Sequence, residues 1–370
     1  MQPHEERQSM ESALRTQAEI LASHSTDIGA GDAVLIIAPH AAEDLIVALY
    51  DEVARRDATA MTVTKNPRFE RAYLTATSEP ALEPHLLSAI ERSDVVITIR
   101  GATNTHETSD VDPTKRAAYE SARQAIREAR LASRWVTTQY PTPADAQAAS
   151  MSTAEHRAFV WEAINRDWDE QGRQQQQLVD LLDAAADVRI ATGNGTDLSM
   201  SVAGMRVVND YGQHNMPGGE VSTAPVVESV EGTVVFDKPL IAQGHELRDV
   251  SLSFVDGVVT EYAAERNEDV LAAVLDTDAG ARRIGELGIG MNRDISQFTY
   301  NMLFDEKMGD TVHLALGQAY EQTVGPAHVR NDSAIHMDMI VDMSDDSVIE
   351  FDGEPVQRDG TFVFEDGFEE

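Results

Sequence analysis

The sequence predicts an α/β N-terminal domain with a mainly parallel sheet, followed by an α+β C-terminal domain that is rich in antiparallel strands. The chain has 370 residues, whereas single hydrophobic cores stop growing at roughly 250 to 300 residues. Strand patterns alternate with helical patterns in the first half, and short strands separated by glycine-containing turns fill the second half. We therefore place the two domains at residues 1–186 and 187–370.

Apolar runs predict the strands of the N-terminal domain: Ala33–Ala38, Ala60–Thr64, Val95–Ile99 and Trp135–Tyr140. Helical patterns separate these runs, and strands that alternate with helices are typical of a parallel, doubly wound sheet. The first run continues into Pro39 and His40 rather than into a glycine-rich turn, so the pattern does not support dinucleotide binding.

Longer helical patterns complete this domain. Residues 116–132 predict one long helix. Residues 141–186 contain polar, helix-forming sequence, including four consecutive glutamines, and we interpret them as the helical end of the domain.

The pattern changes near Asp187, where short strands begin. Predicted strands lie at residues 188–192, 232–236, 250–254 and 258–262. The last two flank Asp256-Gly257, and Asp-Gly between alternating apolar runs is a strong signal for a β-hairpin. The C-terminal domain is therefore expected to contain mostly antiparallel strands.

The charge of the chain is strongly negative. Asp and Glu number 64 against 29 Lys and Arg, so the formal net charge is −35. Such a surface repels itself unless salt screens it, and the Debye length falls to about 3 Å at molar salt. We therefore expect a protein from an extreme halophile, with an ordinary acidic enzyme as the alternative. A nucleic-acid partner is disfavoured, because phosphate binding requires clustered Lys and Arg.

Cysteine is absent from the sequence, which excludes disulfides, thiolate zinc sites and a cysteine nucleophile. The first 25 residues are charged and lack the apolar region of a signal peptide. The longest aliphatic runs are far shorter than the roughly 18 residues that a membrane helix needs. We therefore expect a soluble cytoplasmic protein whose metal ligands, if any, are His, Asp and Glu.

Two glutamates stand out in glycine-rich segments. Glu220 follows Pro217, Gly218 and Gly219, an irregular turn that would present its carboxylate at the start of a strand; a solvated surface role is the alternative. Glu286 is an isolated acid in an apolar run, where a carboxylate must either bind a cation or pair with a base such as Arg282 or Arg283.

Two further segments contain histidine. If residues 311–316 form a strand, His313 faces the same side as Thr311 and Ala315, and a hydrogen-bonded core histidine is the alternative to a ligand. His336 and Asp338 are two residues apart in an apolar strand and should face the same way, a pair that favours metal binding.

Together these segments supply ligands of the kind that hold Zn²⁺, Co²⁺ or Mn²⁺. Two such cations about 3.5 to 4 Å apart can share a carboxylate, activate a water and polarise a carbonyl, which is a hydrolase arrangement. The sequence contains neither an HExxH helix nor a GxSxG turn, so activated water is the expected nucleophile.

Six ordered segments carry a family resemblance: YPTPADAQAASMS at 140–152, GTDLSM at 195–200, NMPGGEVSTAP at 215–225, GARRIGELGIGMN at 280–292, DEKMGDTVHLALGQAY at 305–320 and SAIHMDMI at 333–340. The chain resembles the metal-dependent aminopeptidases of the aminopeptidase T and aminopeptidase S type, also called thermophilic metalloproteases. The resemblance implies a homodimer that acts on short peptides at a two-metal centre. Its implied ligands are Glu220, Glu286, Glu306, His313, His336 and Asp338.

In that resemblance Glu286 bridges the two cations, and Tyr320 donates a hydrogen bond to the tetrahedral oxyanion. Six residues separate Glu306 from His313, a longer interval than in the family pattern.

Two alternatives remain at this stage. The same scaffold resembles a ring-cleaving dihydroxypyridine dioxygenase, in which a single Fe²⁺ would be held by His313, His336 and Asp338. A metal-storing or partner-binding protein without turnover is the other alternative. The presence of Glu220 and Glu286 favours two metals and hence hydrolysis.

Overall fold

The structure is a computed structural model that describes residues 3–101, 103–242 and 245–369. Its α-helices are α1 (Pro3–Ile20), α2 (Glu43–Arg55), α3 (Pro67–Ala76), α4 (Pro84–Glu91), α5 (Pro113–Ala122), α6 (Gln124–Leu131), α7 (Pro143–Ala148), α8 (Thr153–Ile164), α9 (Trp168–Ala184), α10 (Glu268–Leu275) and α11 (Met302–Asp305). None of the helices in these ranges combines the length and the apolar composition needed to cross a bilayer.

The strands, in chain order, are β1 (Ala33–Ala38), β2 (Thr59–Thr64), β3 (Val95–Arg100), β4 (Arg134–Gln139), β5 (Asp187–Thr192), β6 (Asp197–Ser201), β7 (Val208–Asp210), β8 (Asn215–Met216), β9 (Glu220–Thr223), β10 (Glu231–Phe236), β11 (Leu240–Ala242), β12 (His245–Leu247), β13 (Val250–Val255), β14 (Val258–Ala263), β15 (Ile284–Gly290), β16 (Thr311–Gly317), β17 (His336–Asp342), β18 (Ser347–Phe351), β19 (Glu354–Arg358) and β20 (Thr361–Phe362).

The first compact unit contains residues 1–167 and 212–218. Its five-stranded sheet has the order β2-β1-β3-β4-β8, and its paired strands are all parallel. The central strands are apolar on both faces, with Leu35, Ile36, Val96 and Ile97 fully buried. A parallel sheet covered by helices on both faces requires such strands. The predicted α/β domain with a mainly parallel sheet is therefore confirmed.

The predicted long helix over residues 116–132 is two helices, because α5 ends at Ala122 and α6 begins at Gln124. Arg123 leaves the helical backbone conformation, with φ −93° and ψ 8°. Its guanidinium contacts Glu83 at 3.0 Å and lies over the ring of Tyr119. These two contacts accompany the break, and helical periodicity alone does not reveal them.

The second compact unit contains residues 168–211 and 219–370. It has an eight-stranded sheet of order β14-β13-β10-β6-β5-β18-β19-β20, the hairpin β11-β12, and a five-stranded sheet of order β17-β16-β15-β9-β7. These strands pair antiparallel, as predicted for the C-terminal half. The domain boundary predicted between residues 186 and 187 lies after α9. The two compact units instead divide between residues 167 and 168, before α9.

Helix α9 is attached to the five-stranded sheet of the second unit through a buried glutamine. The amide of Gln175 donates hydrogen bonds to the backbone oxygen of Glu220, at 2.9 Å, and to the side-chain oxygen of Asn209, at 2.7 Å. Because β9 begins at Glu220, these bonds position the start of the strand.

The five-stranded sheet of the second unit has one apolar face and one polar face. Leu287 and Ile289 on β15, Val312 and Leu314 on β16, and Val341 on β17 belong to the main hydrophobic core of this unit. Side chains alternate along a strand, so the intervening residues face the other side. Those residues are mainly glycines, an alanine, histidines and acids, with Thr311 and Ile340 among them, and this face carries the candidate site described next.

Candidate metal centre

Strand register brings predicted site residues to one face of the five-stranded sheet of the second unit. Glu220 lies opposite Gly290, His313 opposite Gly288, and Asp338 opposite Ala315, which is also the partner of Glu286. His336 is opposite Gly317, next along the same face. Directly opposed residues of antiparallel strands point to the same side. The predictions that His313 shares a face with Ala315, and that His336 shares one with Asp338, are confirmed.

A glycine makes room for the imidazole of His313. A β-carbon built at Gly288 would lie 2.0 Å from Cε1 and 2.1 Å from Nε2 of that ring. No side chain larger than hydrogen therefore fits at residue 288 while His313 keeps its position. The glycine-rich character of β15 is thus part of the construction of the site.

Glu286, His313 and Asp338 form the centre of the site. Each offers one ligand atom, and these atoms all lie within 4.8 Å of one another. Glu286 is 6% exposed and His313 is 1% exposed, so two of the three are buried. A buried carboxylate without a cation is costly, and a set of carboxylate oxygens with an imidazole nitrogen suits Zn²⁺, Co²⁺ or Mn²⁺.

His336 extends this group on one side. Its Nε2 is 3.3 Å from Oε2 of Glu286 and 3.4 Å from Oδ1 of Asp338. Its Nδ1 is 2.8 Å from the backbone oxygen of Gln318. A hydrogen bond from Nδ1 to a carbonyl leaves Nε2 as the ligand atom, the arrangement found around metal-binding histidines.

His336 and Asp338 each stabilise the charged form of the other. Burial alone would lower the pKa of His336, but Asp338 and Glu286 outweigh burial and raise the pKa well above its usual value. Burial alone would raise the pKa of Asp338, but the His336 ring outweighs it and lowers the pKa to about 2. The site therefore stabilises positive charge next to these carboxylates.

Glu220 extends the group on the other side. Its Oε2 is 3.5 Å from Nε2 of His313, is buried, and makes no hydrogen bond within the described residues. Burial raises the pKa of Glu220 well above its usual value, although the ammonium of Lys307 acts in the opposite direction. A buried carboxylate oxygen without a hydrogen-bond donor is suited to bind a cation.

Glu306 is placed differently from the other predicted ligands. Its Oε1 contacts the ammonium of Lys307, and the same ammonium lies 3.3 Å from Oε1 of Glu220. Sequence reasoning did not single out Lys307. A signal was available, because Lys307 is one of only four lysines in the chain and directly follows Glu306.

Tyr320 lies at the edge of the group. Its ring centroid is 4.7 Å from that of His336, and the residue is 45% exposed. A partly exposed tyrosine beside His336 can be reached by a bound substrate. The structure thus brings together Glu220, Glu286, His313, His336 and Asp338, with Tyr320 beside His336 and Glu306 reached through Lys307.

These residues fit a divalent metal. The ligand atoms are oxygen and imidazole nitrogen, three of them converge, and one buried carboxylate oxygen has no hydrogen-bond donor. The apolar opposite face anchors the four strands that carry these residues. Rigid strands of this kind hold ligands in place before the metal binds.

Known proteins match this chain over most of its length. The sequence profile of the family described as thermophilic metalloprotease (M29) matches residues 10–367. Aminopeptidase 2 of Geobacillus stearothermophilus is 29% identical over 96% of this chain and 98% of that protein. Aminopeptidase T of Thermus thermophilus is 30% identical over 66% of each chain.

Two solved structures share the fold. Wild-type AmpT from Thermus thermophilus superposes with a TM-score of 0.83 at 24% identity, covering 95% of this chain and 99% of that one. The 2,5-dihydroxypyridine dioxygenase of Pseudomonas putida KT2440 superposes with a TM-score of 0.62 at 14% identity, covering 96% and 98%. At these identities the similarities show the fold alone.

Proposed function

This chain belongs to the M29 family of thermophilic metalloproteases and is a metal-dependent aminopeptidase, and from that premise we propose that it releases N-terminal residues from short peptides at a two-metal centre. The observation that carries the proposal is the convergence of Glu286, His313 and Asp338 within 4.8 Å, flanked by His336 and Glu220.

The geometry supports a division of the ligands between two cations. Glu220 and His313 would hold one cation, since Oε2 of Glu220 lies 3.5 Å from Nε2 of His313. His336 would hold the other, and Glu286 and Asp338 lie between the two histidines. Glu286 is the proposed bridge. Glu306, a ligand in the sequence prediction, contacts the ammonium of Lys307 and is assigned to neither cation.

When bound, such cations supply Lewis-acid polarisation of the peptide carbonyl and lower the pKa of a water molecule. Water adds to the carbonyl carbon, the peptide C–N bond breaks, and the new amine takes a proton. Tyr320 would donate a hydrogen bond to the oxyanion that forms on the substrate.

The decisive experiment combines elemental analysis with hydrolysis of aminoacyl chromogens by protein purified in high salt. We expect two equivalents of zinc, cobalt or manganese per chain and release of the chromophore, both lost after dialysis against a chelator. One equivalent of iron, with oxygen uptake on a dihydroxypyridine, would instead support the dioxygenase alternative. Bound metal without turnover of either substrate would indicate a storage protein.

The surroundings of the enzyme are also part of the proposal. We place it in the cytoplasm of a salt-accumulating organism, as a homodimer without nucleic-acid or membrane partners. The net charge of −35 supports the salt adaptation and disfavours nucleic acid.

A further inference from the structure

Lys307 is a buried cation beside the metal group. Its side chain is fully buried, with an exposed fraction of 0%. Lysine is almost never fully buried unless it is paired. The ammonium Nζ lies 3.3 Å from Oε1 of Glu220 and contacts Oε1 of Glu306. Two acids therefore compensate the charge of this lysine.

A third acid belongs to the same neighbourhood. Asp210 on β7 is the direct cross-strand partner of Glu220 on β9. Glu220 and Glu306 therefore contact the ammonium directly, and Asp210 lies beside Glu220 on the neighbouring strand.

The two oxygens of Glu220 consequently have different surroundings. Oε1 faces the Lys307 ammonium, whereas Oε2 lies 3.5 Å from Nε2 of His313 and accepts no hydrogen bond from the described residues. The lysine thus orients Glu220 so that one oxygen is directed toward the metal group. Glu306 contacts the same ammonium through its Oε1 and is not among the three converging ligand residues Glu286, His313 and Asp338.

We propose that Lys307 is a positioning residue that acts as a resident cation: it occupies the space among Asp210, Glu220 and Glu306, keeps Glu306 out of the ligand set, and thereby limits how many metal ions the centre binds. This inference rests on the proposed metal centre and refines it. In its absence the three acids would face one another in a buried space, an arrangement that attracts a hard divalent cation.

A purely structural ion pair is the competing explanation. Breaking such a pair is destabilising because it leaves a buried charge uncompensated. That role predicts lower stability in a lysine variant without any change in metal stoichiometry. Metal stoichiometry therefore separates the two explanations, whereas activity does not.

The test is a titration of metal-free protein with Co²⁺ alone, in high salt, with equilibrium dialysis and visible absorption as readouts. Wild-type protein is compared with Lys307→Met, Glu306→Gln and the double variant Glu306→Gln/Lys307→Met. Lys238→Met is the matched control, because Lys238 pairs with Asp342 at 2.6 Å outside the metal group.

We expect Lys307→Met to bind one more equivalent of Co²⁺ than wild type, with a new absorption band. The double variant should return to the wild-type number, because it has lost one acid together with the lysine. Glu306→Gln and Lys238→Met should keep the wild-type number and spectrum.

Unchanged stoichiometry in Lys307→Met, or loss of an equivalent in Glu306→Gln, would overturn the inference. If Lys307→Met fails to fold, Glu306→Gln decides the question, since a ligand cannot be replaced without changing the Co²⁺ spectrum. Failure of the proposed function is distinguishable, because it appears as wild-type protein that binds Co²⁺ but hydrolyses no aminoacyl substrate.

Discussion

A single backbone carbonyl determines which nitrogen of His336 faces the acids. Nδ1 is 2.8 Å from the oxygen of Gln318, so Nε2 is directed at Glu286 and Asp338. Outer contacts of this kind fix the tautomer and the orientation of ligand histidines. At the residue scale, the site depends on such neighbours as well as on the ligands themselves.

Glu286 is the residue whose loss should affect the reaction most. Glu286→Gln removes a negative charge from the centre of the group but preserves the size of the side chain. We expect aminoacyl hydrolysis to fall by at least about a hundredfold, since an amide is a poor bridging ligand, while folding in salt is retained. Glu261→Gln, at an exposed position of β14, is the matched control. Full activity in Glu286→Gln would remove Glu286 from the mechanism.

Gly288 should be indispensable because of the close approach of His313. A β-carbon there would lie 2.0 Å from the imidazole, so Gly288→Ala must displace the ring. We expect metal affinity to fall by about 10- to 100-fold, as for loss of an orienting contact, measured by competition with a chelating dye. Gly29→Ala is the control, because the nearest atom to its β-carbon would be 3.8 Å away. Wild-type affinity in Gly288→Ala would contradict this role.

Tyr320 permits a separate test of the chemical step. Tyr320→Phe removes the hydroxyl but retains a ring to pack against His336, 4.7 Å away. If the hydroxyl stabilises the oxyanion, kcat should fall by about 10²- to 10³-fold with unchanged metal content. Tyr300→Phe, which removes a hydrogen bond to Glu246 instead, should leave kcat unchanged. Steady-state kinetics together with elemental analysis provides the comparison, and a normal kcat in Tyr320→Phe would exclude the hydrogen bond.

At the scale of elements, β15, β16 and β17 separate stability from chemistry by their two faces. Leu287 and Leu314 are cross-strand partners on the apolar face, and Glu286 and His313 are one residue away on the polar face. A slip of one residue in register would exchange the two faces completely. The apolar face therefore specifies the register on which the polar face depends.

The apolar face should carry stability without affecting metal stoichiometry. Leu314 is 1% exposed within the main core. Leu314→Ala should reduce the free energy of unfolding by about 2 to 5 kcal/mol, measured by chemical denaturation in high salt. The folded variant should still bind the wild-type number of metal ions. Loss of a metal equivalent in folded protein would show that the two faces are not independent.

At the scale of the whole molecule, the acidic surface should make stability depend on salt. A net charge of −35 produces self-repulsion that salt screens. We expect Tm to rise by more than about 10 °C between roughly 0.1 M and 3 M KCl, measured by calorimetry on metal-loaded protein. Sorbitol at matched osmolality is the control, because it does not screen charge. Equal Tm values at both salt concentrations would contradict salt adaptation.

Much of the architecture could be predicted from local patterns. The alternation of strands and helices up to Gln139 indicated a parallel sheet, and the Asp256-Gly257 turn indicated the hairpin of β13 and β14. The break at Arg123 and the placement of α9 with the second unit could not be predicted in this way. Both depend on contacts between residues that are distant in sequence.

Composition and the period of a strand are local properties. They therefore indicated the candidate ligand residues, the faces of β16 and β17 on which these residues lie, and the excess of acidic charge. Local patterns could not show which of the six predicted ligands meet, because that depends on how distant strands pair. Glu220, Glu286, His313 and Asp338 lie on four separate strands, and their convergence follows from antiparallel register. Lys307 lies in the connection between α11 and β16, and its ammonium meets Glu220 through a contact between residues that are distant in sequence.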